Sequence, residues 1–239
     1  MHSTKYVVIF VLILTSTVAV LLAGFREITK EGAERNEDIF NKRAILLAVE
    51  DYLGDGVKVN NLADGEVLNI FDTQVKQVTL NAQGQPIEDG GVKAEDIDMA
   101  KEKKKPESER KLPLFIYESG GEKYYIVSVR GTGLWDEIWG NIALKSDLNT
   151  VAGAAFDHKG ETPGLGAEIK DNPTFAEQFK GRTIYDNGAY VSVNVRKGGA
   201  VDKEHEVDGI SGATVTANGV SDMLYKGIKA YEPYFKTLK

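Results

Sequence analysis

The 239-residue chain contains no cysteine, which excludes disulfides, thiolate ligation of iron–sulfur clusters and cysteine nucleophiles together. Histidine is almost as scarce. His2, His158 and His205 make up the whole complement, and their separations match none of the short spacings that mark zinc or non-haem iron sites, so no protein-ligated metal is expected. Positive charge is also in deficit, since 29 Lys and Arg against 36 Asp and Glu give a net charge of -7. Polyanions are bound chiefly through clustered positive charge, and no nucleic-acid partner is expected. The basic run Lys101–Lys105 sits in KEKKKPESERK among Glu102, Glu107 and Glu109, the pattern of a solvated connector. No internal repeat is present.

The chain does have one long apolar run. Tyr6 to Phe25, YVVIFVLILTSTVAVLLAGF, carries no charge over twenty residues, and at about 1.5 Å rise per residue it covers the roughly 30 Å hydrocarbon core of a bilayer. One transmembrane helix at 6–25 is expected, after a short tail at 1–5. A cleaved signal peptide is the alternative, with Lys5 as its basic region, but the run exceeds the usual apolar core of such peptides and no A-x-A site follows. No Cys follows LLAG, so a lipoprotein is excluded. Lys5 precedes the run while Arg26, Lys30 and Arg35 follow it, and charge therefore leaves the orientation open.

Residues 26–56 read as an amphipathic connecting helix, with Ile39, Phe40, Ile45, Leu46, Val49 and Leu53 near helical spacing and Gly54 and Gly56 as its stop. Residues 57–111 mix short apolar runs such as VLNIF with turns such as NAQGQ and EDGG. They are expected to form a peripheral insert of strands and turns, followed by the charged connector. From 112 to 239 lies the main domain. LPLFIYES and EKYYIVSVRG joined through Gly120-Gly121 form a hairpin pattern, and residues 142–156 are strand-like. A short helix is expected at 172–179 and another strand from Ala189 in AYVSVNVRKG. A closing helix follows from about Val215 to Leu238, with Val220, Leu224, Ile228 and Tyr231 on one face. This order predicts an α+β fold with a mainly antiparallel sheet and flanking helices.

Three segments carry the chemistry. In VDGISGATVTANGV, Val207–Val220, a turn of small residues feeds straight into the closing helix; the first helical turn offers free N–H groups and a positive dipole end, and small side chains let a phosphate approach. A plain N-cap role for Ser211 or Thr214 is the alternative. In HKGETPGLGAEI, Pro163-Gly164 favours a tight turn, Gly166 lets a ring approach the backbone, and Glu161 and Thr162 offer hydrogen bonds to polar edges. A simple strand-joining loop reads the same way. In GTGLWDEIWG, Leu134 and Trp135 suit the apolar face of a ring or the packing of a core. Its G-x-G lacks the third glycine and the strand–helix setting of a dinucleotide fingerprint, so NAD binding is not inferred.

DGISGAT, Asp208–Thr214, resembles the flavinylation motif D-x-x-[ST]-G-A-[ST] of the FMN-binding domains in the Na+-translocating NADH:quinone reductase and the related Rnf complex. ETPGLG, Glu161–Gly166, and GTGLW resemble two further segments of that family, and the combination fits the C subunit of the quinone reductase. The resemblance covers the apolar run and most of residues 113–239, leaving 57–111 unmatched. It implies Thr214 as acceptor of FMN through a phosphoester, installed by a separate Mg2+-dependent flavin transferase with FAD as donor. Asp208, Ser211, Gly212, Ala213 and Val215 then surround the phosphate, and Leu134, Trp135, Glu161, Thr162, Leu165 and Gly166 lie towards the ring. Thr216 stays unmodified. The implied partners are other membrane and flavoprotein subunits, and the implied location of the domain is the outer, periplasmic side of the bacterial cytoplasmic membrane. The implied work is electron relay from NADH towards quinone with Na+ export, the flavin supplying the redox chemistry, so no catalytic acid, base or nucleophile is sought in the chain. Two residues separate His158 from Glu161 where the family pattern has one, and no role is carried over to His158. Two alternatives stand: the G subunit of the Rnf complex, which shares the anchor and acceptor motif, and a membrane-tethered module holding a small anion non-covalently.

Overall fold

The computed structural model describes residues 3–87 and 92–238; His2 and the EDGG turn at 88–91 lie outside them. The chain divides into two units, Met1–Phe40 and Asn41–Lys239. Helix α1 runs from Thr4 to Leu47, 44 residues without interruption. Among the described residues one helix, α1, is long and apolar enough to cross a membrane. Its few hydroxyls suit an apolar medium, because Thr15 donates to the Val11 carbonyl at 2.9 Å and Thr17 to that of Ile13 at 2.8 Å, so neither donor is left unmatched. The helix ends at Leu47, before the glycines expected to stop it. Ala48 and Val49 are buried instead, the Ala48 carbonyl lying so close to Gly153 that no Cβ fits there, and the chain continues as a 3-10 turn at Glu50–Tyr52.

VLNIF, expected in strands and turns, belongs to helix α2, Asp64–Gln74. Val67 and Phe71 are its buried residues, four apart on one face, a helical period hidden in a short apolar run. Strand β1, Val75–Leu80, follows at once. After the short helix α3, Met99–Glu102, come β2, Leu112–Ser119, β3, Glu122–Thr132, β4, Glu137–Leu144, and β5, Val151–His158. These five form one antiparallel sheet in the order β1-β2-β3-β4-β5. Residues 57–111 are thus not wholly peripheral, since β1 pairs with β2 from Val75↔Tyr117 to Leu80↔Leu112. The β2–β3 turn is as expected: Gly120 and Gly121 take φ of 60° and 84°, the double left-handed geometry of a two-residue hairpin. The charged connector is not fully solvated either. Glu102 is buried and accepts from Lys105 Nζ at 2.7 Å and from the Lys111 N–H at 2.9 Å.

Beyond the sheet stand α4, Glu168–Asp171, and α5, Pro173–Glu177. The latter has Pro at its start and the Asn172 side chain accepting from Thr174 N, a sound helix beginning. Two small pairs follow, β6, Tyr185–Asp186, with β7, Ala189–Tyr190, and β8, Asn194–Arg196, with β9, Glu206–Asp208, the latter pair parallel. The single strand expected from Ala189 is therefore two, separated by Ser192 at φ 65°, a left-handed residue no continuous strand tolerates. The closing helix is likewise two, α6, Thr214–Lys229, and α7, Glu232–Leu238. Pro233 explains the break, as it has no N–H to continue the α6 ladder. Tyr231 seals the joint. Fully buried, it donates its hydroxyl to the Pro113 carbonyl at 2.9 Å and shares it with that of Ser128 at 3.0 Å. Val220, Leu224 and Ile228 of α6 join Leu114, Val127 and Ile142 in the core.

Candidate functional site

Helix α6 packs along β3, and this contact delivers its first turn to the edge of the β3–β4 turn. The preceding loop is compact. Gly209 N–H donates to the Arg196 carbonyl at 2.8 Å and Ala213 N–H to that of Ile210 at 3.2 Å. Gly212 sits at φ 77°, where a Cβ would also lie 2.7 Å from Leu165 Cδ2, so glycine is required twice over. The ETPGLG loop thereby abuts the turn that precedes α6. Ala213 is the N-cap, no side chain caps the helix, and no acidic residue occupies its first turn. The N–H groups of Thr214, Val215 and Thr216 have no acceptor among the described residues, and neither has the half-buried Thr214 hydroxyl. The N-cap alternative for Ser211 or Thr214 is not what this helix uses. Its N-terminal end is left open to an anion.

Glu161 ties the three motif segments together. It is 4 % exposed, its Oε1 accepts from the Trp135 N–H at 2.9 Å, and its Oε2 accepts from the Thr216 hydroxyl at 2.6 Å. Both of its carboxylate oxygens are thus engaged within the chain. Gly166 has the same explanation: a Cβ there would collide with Glu161 Oε2 and stand 2.7 Å from Thr216 Oγ1. Burial works to raise the Glu161 pKa, but hydrogen bonds from Thr216 and from the backbone of Trp135, Asp136 and Leu134 outweigh it and hold the group below the usual carboxylate range. Thr162 is also spoken for, accepting from the Trp135 indole N–H at 3.1 Å. His158 Nδ1 accepts from the Glu161 N–H at 3.2 Å, a loop-fixing contact.

The apolar side chains are the ones left open. Leu134, Trp135, Leu165 and Val215 are 52, 69, 41 and 53 % exposed, on the turn, the ETPGLG loop and the helix start that Glu161 and Gly212 join. Ser211 is exposed and Ala213 buried. Asp208, the first residue of the motif, is engaged in structure: its Oδ1 accepts from the Ala200 N–H at 2.7 Å, and its own N–H donates to Gln178 Oε1 at 2.8 Å. Sequence reading missed the part played by Thr216. The signal was there, since Thr216 precedes Val220, Leu224 and Ile228 at four-residue steps on the apolar stripe, where a hydroxyl needs an internal partner.

His205 anchors the loop that leads into β9 and the DGISGAT segment. It is buried, with Nδ1 2.9 Å from Asp202 Oδ2 and Nε2 3.1 Å from Thr183 Oγ1. Burial lowers its pKa, but the Asp202 carboxylate and the Tyr185 carbonyl outweigh this and raise it above 6.5. A raised folded value means that the imidazolium stabilises the fold below the ordinary value and that this contribution is lost as pH rises through the folded one. Thermal unfolding of the full chain in detergent should therefore show stability declining from about pH 6.5 upwards, with the decline removed in His205→Gln. An unaltered slope in that variant would refute the assignment.

A separate concavity of 780 Å³ runs along another flank of α6, bordered by Lys103, Arg130, Asp222, Met223 and Lys226, and it includes neither Thr214 nor Trp135. Three of the cations lining it have partners within the chain, although Arg130 Nε is buried without one. Lys103 Nζ donates to Thr132 Oγ1 at 3.2 Å, Arg130 pairs with Glu137 at 2.6 Å and Lys226 with Asp222 at 3.3 Å.

The open helix start and the exposed apolar side chains beside it lie within residues 133–229, which match the model of the FMN-binding domain family. The match takes in the DGISGAT and ETPGLG segments whole and the GTGLW segment from Gly133 onwards. Over 94 % of its length the chain is 32 % identical to the C subunit of the Na+-translocating NADH-quinone reductase of Pseudomonas aeruginosa, covering 91 % of that protein. The crystal structure of the C subunit from Parabacteroides distasonis superposes with a TM-score of 0.74 at 35 % identity, over 86 % of this chain and 96 % of that one. That of Shewanella oneidensis NqrC gives 0.69 at 28 % identity, over 87 % and 98 %. The chain belongs to the NqrC family, the C subunits of Na+-translocating NADH-quinone reductases.

Proposed function

We propose that Thr214 carries FMN as a phosphoester and that the chain relays electrons through it from NADH towards quinone, in step with Na+ export. The observation that carries this reading is the first turn of α6, an uncapped helix start opening on a hydroxyl that has no partner among the described residues. A phosphate on the Thr214 oxygen would find the free N–H groups and the positive end of the helix at hand. Exposed Leu134, Trp135, Leu165 and Val215 offer the apolar surface that a flavin ring needs. The flavin, when bound, supplies the one-electron chemistry; the chain's residues bind it, orient it and limit its contact with water. The link is made by a separate Mg2+-dependent flavin transferase. The Thr214 oxygen bonds to the FMN phosphorus of FAD, AMP leaves, and the hydroxyl proton passes to solvent.

Helix α1 spans the bacterial cytoplasmic membrane in this reading, with the second unit on its outer side beside other membrane and flavoprotein subunits. A covalent tether suits that side, where free FMN is not replenished. The full chain, co-expressed with a flavin transferase, is expected to show an FMN-sized mass increment and to stay fluorescent in a denaturing gel. A colourless chain of unmodified mass would sink the reading, and flavin that leaves on denaturation would replace it with non-covalent binding.

A further inference from the structure

The Glu161 carboxylate is buried, ionised and held by hydrogen-bond donors alone: no Lys or Arg among the described residues pairs with it. The nearby charges are matched elsewhere, Lys159 with Asp136 at 3.1 Å and Lys170 with Asp157 at 2.8 Å. The backbone is fitted around this group from both sides. A Cβ at Gly133 would stand 2.5 Å from Oε1, and one at Gly166 would run into Oε2. An unneutralised charge in a partly dry site acts over a longer distance than one in water, because less solvent screens it. Electron transfer to a neighbouring flavin adds negative charge, and a fixed carboxylate opposes it.

We propose that Glu161 is a positioning residue that also tunes the cofactor. It locks the Leu134–Trp135 turn onto the first turn of α6, and its fixed negative charge holds down the reduction potential of the flavin. The locking follows from its two oxygens, one on the Trp135 N–H and the other on the Thr216 hydroxyl. The tuning follows from the absence of a counter-cation among the described residues. Both rest on FMN being carried by Thr214, and the test separates the two claims.

Full-length chain flavinylated by co-expressed transferase is compared as wild type, Glu161→Gln and Thr216→Val, reading peptide-mapped flavin, midpoint potential and quenching of flavin fluorescence by iodide. Wild type without mapped flavin would strike the covalent reading and this proposal with it. Given flavin on Thr214, Glu161→Gln removes the charge at nearly constant shape, and its midpoint potential is expected to be more positive than that of wild type at neutral pH. Thr216→Val keeps the charge but cuts the tie to α6; iodide quenching should rise severalfold while the potential does not become more positive. A Glu161→Gln potential equal to that of wild type overturns the electrostatic claim. Should circular dichroism show Glu161→Gln poorly folded, Thr216→Val decides, and wild-type quenching there overturns the proposal.

Discussion

Replacing Thr214 with alanine is expected to abolish covalent flavin, and with it flavin-linked quinone reduction and Na+ transport, while leaving the fold as stable as before. The Thr214 hydroxyl has no partner among the described residues and the residue does not cap α6, so its removal strands no buried group. Alanine at the start of a helix carries no propensity penalty, and surface changes of this kind fall within about 0.5 kcal/mol. Thr216→Val should behave oppositely. Thr216 is 1 % exposed and donates to Glu161 at 2.6 Å; removing that donor deprives a buried carboxylate of a partner, at a cost of about 1–3 kcal/mol, while flavin stays on Thr214. Two hydroxyls two residues apart are thus told apart by peptide mapping set beside thermal unfolding. Normal covalent flavin in Thr214→Ala, or flavin found on Thr216, would overturn the acceptor assignment.

The parts of the fold legible in the sequence are those whose signal is local. The apolar run is read directly as helix, and Gly120-Gly121 specifies its turn with no help from the rest of the chain. The misreadings arise where a distant contact decides. Strands are expected within 57–111, but nothing in Val75–Leu80 shows that it belongs to the main sheet; the edge that β2 offers decides that. The closing helix keeps its apolar stripe past Lys229, but Pro233 and the Tyr231 hydrogen bonds to β2 and β3 divide it. The same distinction applies to the site. By type alone Thr214 reads equally as a plain N-cap, and Leu134 and Trp135 as core residues; the family resemblance singles them out, because exposure and an uncapped helix start depend on the folded neighbours. The internal partner of Glu161 is not legible, because Thr216 lies 55 residues away and nothing in ETPGLG indicates that the carboxyl turns inward. Gly166 is read as a place of close approach, and the group that approaches it in the structure is that carboxylate.

Gly219→Ala is expected to destabilise the second unit and disturb the flavin site, although the same change in an open helix would stabilise. Inside α6, alanine gains about 1 kcal/mol over glycine in propensity. Against that, a Cβ at Gly219 would collide with the Thr132 carbonyl oxygen and stand 3.3 Å from its carbon and 3.5 Å from Gly133 Cα. These atoms are backbone. They cannot rotate aside as a side chain would, so α6 must move off β3 or the end of β3 must give, and such overpacking costs about 1–3 kcal/mol. The steric loss wins, and at roughly 2–4 °C per kcal/mol for a unit of this size it is visible in thermal unfolding. Gly65 in α2 supplies the control: nothing lies within 4 Å of a Cβ there, and Gly65→Ala should raise stability by up to about 1 kcal/mol. The displaced backbone in Gly219→Ala runs directly into Leu134 and Trp135, so the variant should also lose part of its flavin or expose what it keeps to iodide. If Gly219→Ala proved as stable as wild type while Gly65→Ala behaved as expected, the tight packing of α6 on β3 could not be what fixes the turn beside Thr214.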